Sequence, residues 1–298
     1  MIRRFARFVA LLAAALALPV AAADDAASWL PRLRHALDTL QYEGVFVYLH
    51  DGQVDSMQVR RTVNERGTRE HLVSLTGDRR QLLREGNSVQ FLLPAGLMTL
   101  TSGGDGAMPP EISGDAPYEL VVSGQSRVAG YEAAILDAKP RDTQRYGYRL
   151  WIERETGMLL GSALVGADGN AIEQMMFTSL VLKPGPAVAA ATPAPAAVPA
   201  PVPGEWSAPA LPDGFRLVAR PAAERDAEHQ VWSDGLANVS LYVEPLRAET
   251  ADWTGSSRRG AIAVVGRVRG GYHVVVMGDL PVATVERIAD SVTPRAPQ

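Results

Sequence analysis

Five histidines, His35, His50, His71, His229 and His273, are the side chains best suited to acid–base or metal chemistry. None has a second histidine three to five residues away, so there is no short zinc-binding pair, and H-E-x-x-H is absent. Gly124-Gln125-Ser126-Arg127-Val128 begins like the turn that presents a nucleophilic serine but lacks the closing glycine, and its expected antiparallel surroundings are wrong for that motif. Gly103-Gly104-Asp105-Gly106 is followed by no G-K-[ST] and opens no helix, so it is not a phosphate loop. Asp51, Asp55 and Asp168 read as turn residues and belong to no calcium loop. The chain has no cysteine, which removes thiol catalysis, disulfides and thiolate-bound metals. We assign no catalytic residue, no metal and no cofactor. A Ser-His-Asp site assembled from distant positions stays open, because spacing in sequence does not constrain it.

What remains is contact chemistry, in two places. In Arg145–Ile152, Tyr146, Tyr148 and Leu150 fall on one face of a period-2 pattern, while Arg145 and Arg149 fall on the other. That face either lines an apolar groove for a ligand or fills the protein's own core. In the second place, Trp232-Ser233-Asp234-Gly235-Leu236, a tryptophan stands beside an Asp-Gly turn signal. It either anchors a partner, as aromatic residues do at binding hot spots, or packs inside at a strand end.

The elements that must position these residues are mostly strands. Arg145–Phe177 reads as a three-strand meander with turns at Glu155-Thr156-Gly157 and Asp168-Gly169-Asn170. Upstream, strands are expected at 44–50, 55–63, 69–75, 81–84, 88–93, 97–101, 118–123, 126–128 and 133–139, and the short spacings favour antiparallel hairpins. A helix over 28–40, N-capped by Ser28, presents Trp29, Leu33, Ala36, Leu37 and Leu40 as one stripe. The Gly/Pro-rich stretch 101–117 reads as a surface loop.

Between Lys183 and Gly204 the composition changes to seven prolines and eight alanines in 22 residues. Such a segment is an extended tether, reaching about 65–70 Å at roughly 3.1 Å per residue. It divides a lobe over 24–182 from one over 205–298. In the second lobe, strands are expected at 215–220, 229–233, 239–245, 261–268 and 272–278, followed by a helix over 281–292.

Residues 1–23 read as a secretory leader. Arg3, Arg4 and Arg7 precede an apolar run over 9–20, and Ala21-Ala22-Ala23 is the expected cleavage site. The ordinary Sec route is favoured, and no cysteine follows to carry a lipid anchor. The three leader arginines leave with it, so 29 basic residues become 26 against 33 acidic ones and the net charge moves from −4 to −7. That balance disfavours nucleic acid as a partner. The expectation is a soluble two-domain protein outside the cytoplasm.

Several segments carry a resemblance. Leu40–Tyr48 (LQYEGVFVY), Ser126–Tyr131 (SRVAGY), Pro140-Arg141-Asp142 followed by Arg145–Ile152 (RYGYRLWI), and Thr156–Leu160 resemble, in order, the RseB/MucB family of periplasmic regulators of sigma-E-type stress responses. Ser233–Ala237, Leu241-Tyr242-Val243, Gly278–Pro281 and Arg287-Ile288-Ala289 continue the match. The tether is longer than the family pattern, and Asn238-Val239-Ser240 departs from it. The resemblance implies an α+β fold, mostly antiparallel. The large lobe is expected to be a curved, unclosed-barrel sheet with helices, like a lipoprotein carrier, and the small lobe a sheet with a C-terminal helix. It implies a periplasmic protein that binds the periplasmic segment of a membrane anti-sigma factor (RseA/MucA-like). Binding would shield that segment from site-1 proteolysis, with lipid or lipopolysaccharide as the releasing signal. A lipid or lipoprotein carrier is the alternative, and a homodimer stays open.

Overall fold

The computed structural model describes residues 25–64, 67–85, 88–93, 96–101, 117–183, 204–221, 226–247 and 253–295. The leader, the loop at 102–116 and tether residues 184–203 lie outside them.

The first lobe opens with α1 (Ala26–Thr39), followed by β1 (Gln41–His50), β2 (Gln53–Asn64), β3 (Gly67–Ser74), β4 (Gln81–Glu85), β5 (Ser88–Leu93) and β6 (Gly96–Thr101). It continues with β7 (Tyr118–Val128), β8 (Tyr131–Pro140), β9 (Gly147–Glu153), β10 (Leu159–Val165) and β11 (Ala171–Lys183). These form one 11-stranded sheet in the order β6-β5-β4-β3-β2-β1-β11-β10-β9-β8-β7, so β6 and β7 are free edges and the sheet is unclosed. Every described pairing is antiparallel, as the short connections require. Two meanders meet where β1 pairs β11.

One helix among the described residues, α1, lies on this sheet. Its Trp29 and Leu33 pack on Ala134, Leu136, Leu150 and Ile152, with Leu120 and Val122 alongside. The cap is Asp25, whose carboxylate accepts from the Ala27 N–H at 3.2 Å; Ser28, the expected cap, lies inside the first turn. Both residue types suit a cap, and the apolar stripe alone does not decide between them. The helix is also held at the β9–β10 turn, where the Arg32 guanidinium donates to the Arg154 carbonyl. Gly157 in this turn has φ +81°, and a Cβ there would stand 2.7 Å from the Arg32 carbonyl oxygen, so only glycine fits.

β7 differs from the expectation of two strands broken at Gly124. It is continuous, with a register shift between Val122 and Gly124, so a bulge absorbs the residue that looked like a break.

The second lobe contains β12 (Trp206–Ser207), β13 (Arg216–Ala219), β14 (Glu228–Ser233), β15 (Asn238–Pro245), β16 (Gly255–Arg259), β17 (Ile262–Arg269), β18 (Tyr272–Gly278), α2 (Val282–Ser291) and β19 (Thr293–Pro294). Six strands form a sheet ordered β13-β14-β15-β18-β17-β16, and β12 pairs with β19. Val239, Leu241, Val243, Ala263, Val265, Val274 and Val276 point from the sheet into a core closed by Val285, Ile288 and Ala289 of α2. β16 has no counterpart in the sequence reading. Its residues, Gly-Ser-Ser-Arg-Arg, lack apolar alternation because it is an edge strand with exposed side chains.

Ile288 is fully buried in the small-lobe core. Ile288→Ala is expected to cost about 2–5 kcal/mol by removing buried methylenes and leaving a cavity. Hydrogen exchange checks this: amides of β15 and β18 should lose protection, while those of β8 and β9 keep theirs.

Candidate functional site

The registers bring one row of each sheet to the lobe–lobe seam. In the large lobe His50 pairs Glu173, Glu173 pairs Leu164, Leu164 pairs Tyr148 and Tyr148 pairs Ala138. In the small lobe Arg216 pairs Ser233, Ser233 pairs Asn238, and Val239 and Ala263 both pair Gly278. The turns beyond these rows meet end to end, and their polar groups make the seam.

Arg145, between β8 and β9, is its centre. Its side chain and that of Asp234 are both fully inaccessible, and they form an ion pair across the lobes. Arg145 also pairs with Asp142 of its own lobe at 3.0 Å and donates to the Asp213 carbonyl of the small lobe at 2.8 Å. Its guanidinium carbon lies 5.7 Å from the Tyr118 ring centroid and 5.6 Å from that of Phe215, one ring from each lobe. Asp234 is equally committed. One carboxylate oxygen accepts from the Leu236 and Ala237 N–H groups, at 3.0 and 2.9 Å, and so shapes the β14–β15 turn. The other accepts from Arg145 and from the Tyr118 hydroxyl at 3.2 Å. Burying two charges costs several kcal/mol per ion, and only full pairing and hydrogen bonding offset it.

A second contact lies beside the first. Tyr148 donates from its hydroxyl to Asp279 Oδ2 at 3.3 Å, and its ring meets Tyr118 edge-on at 6.0 Å. Asp279 Oδ1 accepts from the Asn238 N–H at 2.6 Å. Burial, with the like charge of Asp234 adding to it, pushes the Asp279 carboxyl up to about 6. Burial also pushes the Tyr148 and Tyr118 hydroxyls well above the usual phenol range, helped by the charge of Asp279 at the first and of Asp234 at the second.

A third contact holds the β16–β17 turn. Asp51 accepts from the Gly260 N–H at 2.8 Å, and Glu173 accepts from the Ala261 N–H at 2.6 Å. Gly260 has φ +58°, and a Cβ there would fall 1.9 Å from the Glu173 carboxylate, so the approach depends on glycine. Arg287 of α2 donates to Gln144 at the rim.

The residues singled out from sequence are dispersed by this arrangement. Leu150 is buried under α1, which is the core reading. Tyr148 enters the seam. Tyr146 precedes β9, half-buried, so the alternation does not extend to it. In the other stretch Trp232 packs beside the small-lobe core and donates to Gln230 at 3.0 Å. Ser233 closes its own turn onto the Ala237 carbonyl at 2.9 Å, Gly235 is buried with φ +109°, and Leu236 is half-buried. Asp234 alone of that stretch crosses to the other lobe. Arg145, Tyr118, Asp279, Asp51 and Glu173 carried no signal of an inter-lobe role in the sequence, because their partners lie in the other lobe, 89 residues away for Arg145 and 209 for Asp51. Among the described residues no group of three or more His, Asp or Glu is placed to hold a metal ion.

Two antiparallel sheets docked end to end through a buried charge network define a two-lobed β protein. Comparison with known proteins makes this specific. A model of the MucB/RseB N-terminal domain matches residues 25–201, and one of the MucB/RseB C-terminal domain matches residues 201–293. The chain belongs to the MucB/RseB family. It is 32% identical to the sigma factor AlgU regulatory protein MucB of Pseudomonas aeruginosa, over 96% of each chain. It is 28% identical to the sigma-E factor regulatory protein RseB of Haemophilus influenzae, over 96% of this chain and 97% of that one. A crystal structure of MucB in complex with MucA(peri) superposes with a TM-score of 0.70 at 30% identity, covering 92% of this chain and all of that one.

Arg145→Ala leaves Asp234 buried without its cation, so a loss of about 3–5 kcal/mol is expected at the seam. Urea unfolding followed by tryptophan fluorescence checks it. The midpoint should fall well below that of Arg60→Ala, which removes a solvent-exposed pair with Glu43 and should leave the midpoint close to native.

Proposed function

We propose that this protein binds the periplasmic segment of a transmembrane anti-sigma factor and so restrains the sigma factor that the anti-sigma factor controls. The carrying observation is family membership across both lobes, with a likeness over 92% of the chain to MucB solved with MucA(peri). In this reading the protein is exported through the leader at 1–23 and acts in the periplasm. Among the described residues no helix is long and apolar enough to cross a membrane.

Bound protein shields the anti-sigma segment from site-1 proteolysis by excluding the protease from it. Lipid or lipopolysaccharide acts as the releasing signal. The unclosed sheet suits an acyl chain, because Phe46, Leu72 and Met175 are only partly buried beside the core of Tyr42, Val59 and Phe177. A ligand that prefers the free form draws protein out of the complex by mass action. Of the two stretches singled out from sequence, Asp234 and Tyr148 take part through the placement of the lobes. Asp234 and Tyr148 belong to the seam, and their neighbours hold them there.

Full-length mature protein should retain a purified MucA-type periplasmic segment at micromolar concentration, a free energy of roughly −8 kcal/mol, and slow its cleavage by the site-1 protease. Folded protein that neither retains the segment nor slows its cleavage would refute this reading.

A further inference from the structure

On one face of the large-lobe sheet, cross-strand charges find each other. Arg60 lies opposite Glu43 and pairs with it at 2.6 Å, and Arg69 lies opposite Glu85 and pairs with it at 2.9 Å. On the other face they do not. There Tyr42 lies opposite Arg61, Arg61 opposite Glu70, and Glu70 opposite Arg84, in one row across β1 to β4. Glu70 turns to the Tyr42 hydroxyl, which donates to it at 3.2 Å. Among the described residues neither Arg61 nor Arg84 forms an ion pair, and Arg61 Nε is shut off from water with no acceptor. The row thus sets two guanidiniums against one carboxylate, all three half-buried. Apolar side chains adjoin it on the same face. The next row is Gly44, Val59, Leu72 and Leu82, and the one after it begins with Phe46 and Met57. Val59 is buried, while Phe46 and Leu72 beside it are only partly covered. From Tyr42 to Phe46 this floor runs about 13 Å along the strand. Farther along the sheet α1 covers the same face: Leu150 under the helix lies opposite Ser162, Ser162 opposite Met175, and Met175 opposite Tyr48.

We propose that Arg61 and Arg84 form an oxyanion clamp, which takes the acidic head of an amphiphile whose apolar chain lies on Phe46, Met57, Leu72 and Leu82. A guanidinium presents its N–H groups as a fork that matches the oxygens of a carboxylate or a phosphate. A shielded N–H without an acceptor is costly, and a ligand oxygen removes that cost. Glu70 offsets one of the two positive charges, so the row has room for one further anionic group. A neutral head would leave the donors unmet, and the apolar floor gives a free inorganic anion nothing to add. A fatty-acid carboxylate and a lipid phosphate both supply such oxygens, and the test below separates them. This inference rests on the reading in which an acyl chain enters the unclosed sheet, and it names the head that goes with that chain.

Calorimetric titration of the full mature chain with decyl phosphate, decanoate and the neutral decyl maltoside, each below its micelle-forming concentration, reads the head preference with no anti-sigma segment present. Native protein should bind at least one of the two anions about tenfold or more tighter than the maltoside. Preference for decyl phosphate assigns the clamp to phosphate heads, preference for decanoate assigns it to carboxylates, and equal binding of both assigns it to either. Arg61→Gln and Arg84→Gln should each weaken the preferred anion about tenfold and leave the maltoside unchanged. Arg60→Gln, on the opposite face, should change neither. Equal affinity for charged and neutral heads in native protein, or an anion preference that survives both substitutions, overturns the clamp and leaves acyl-chain binding standing. Failure of all three probes to bind overturns the clamp together with the acyl-chain reading, while anti-sigma binding is judged by its own retention assay. Should Arg61→Gln fail to fold, Arg84→Gln decides by the same comparison.

Discussion

The Arg145–Asp234 pair is the interaction on which the arrangement of the molecule depends. A guanidinium shut off from water is tolerable only if its charge and donors are met on the spot. Asp142 meets part of the need within the large lobe, and Asp234 and the Asp213 carbonyl meet the rest from the small one. Neither lobe can satisfy these groups alone. Separation would leave Arg145 and Asp234 each short of a partner unless water replaced it. The preference for one lobe placement is thus electrostatic and directional more than hydrophobic.

This sets the seam apart from the two lobes it joins. Inside each lobe, stability comes from apolar side chains sorted by strand alternation and covered, among the described residues, by one helix. In the large lobe Trp29 and Leu33 lie over Leu136 and Ile152. In the small lobe Val285 and Ile288 share a core with Leu241, Val265 and Val276 of the sheet. At the seam the groups are carboxylates, tyrosine hydroxyls, backbone N–H groups and the guanidinium groups of Arg145 and Arg287. Polar contacts of this kind respond to pH and to competing ligands, whereas an apolar core does not.

Much of the fold was legible because antiparallel strands write their burial into the sequence every second residue. Ser88–Leu93 and Tyr272–Gly278 fall where alternation and turn signals place them. The failures have physical causes. β16 is a polar edge strand and leaves no alternation to detect. At Gly124 a bulge imitates a break. Of the candidate site residues, alternation paired Tyr148 with Leu150 correctly, since both lie in β9 two residues apart. It could not reveal that the first reaches the other lobe while the second lies under α1.

By itself the sequence determined the two-lobe division, the antiparallel β character and the family, because composition, alternation and ordered motifs are local properties. Only the tertiary structure decided what the polar residues do. Arg145 reads as one arginine on a strand face, and Asp234 as one half of an Asp-Gly turn. Their meeting is set by registers that bring one row of each sheet to a common end. A side chain's charge is written in its identity, but the cost and use of that charge depend on which groups surround it when water is excluded.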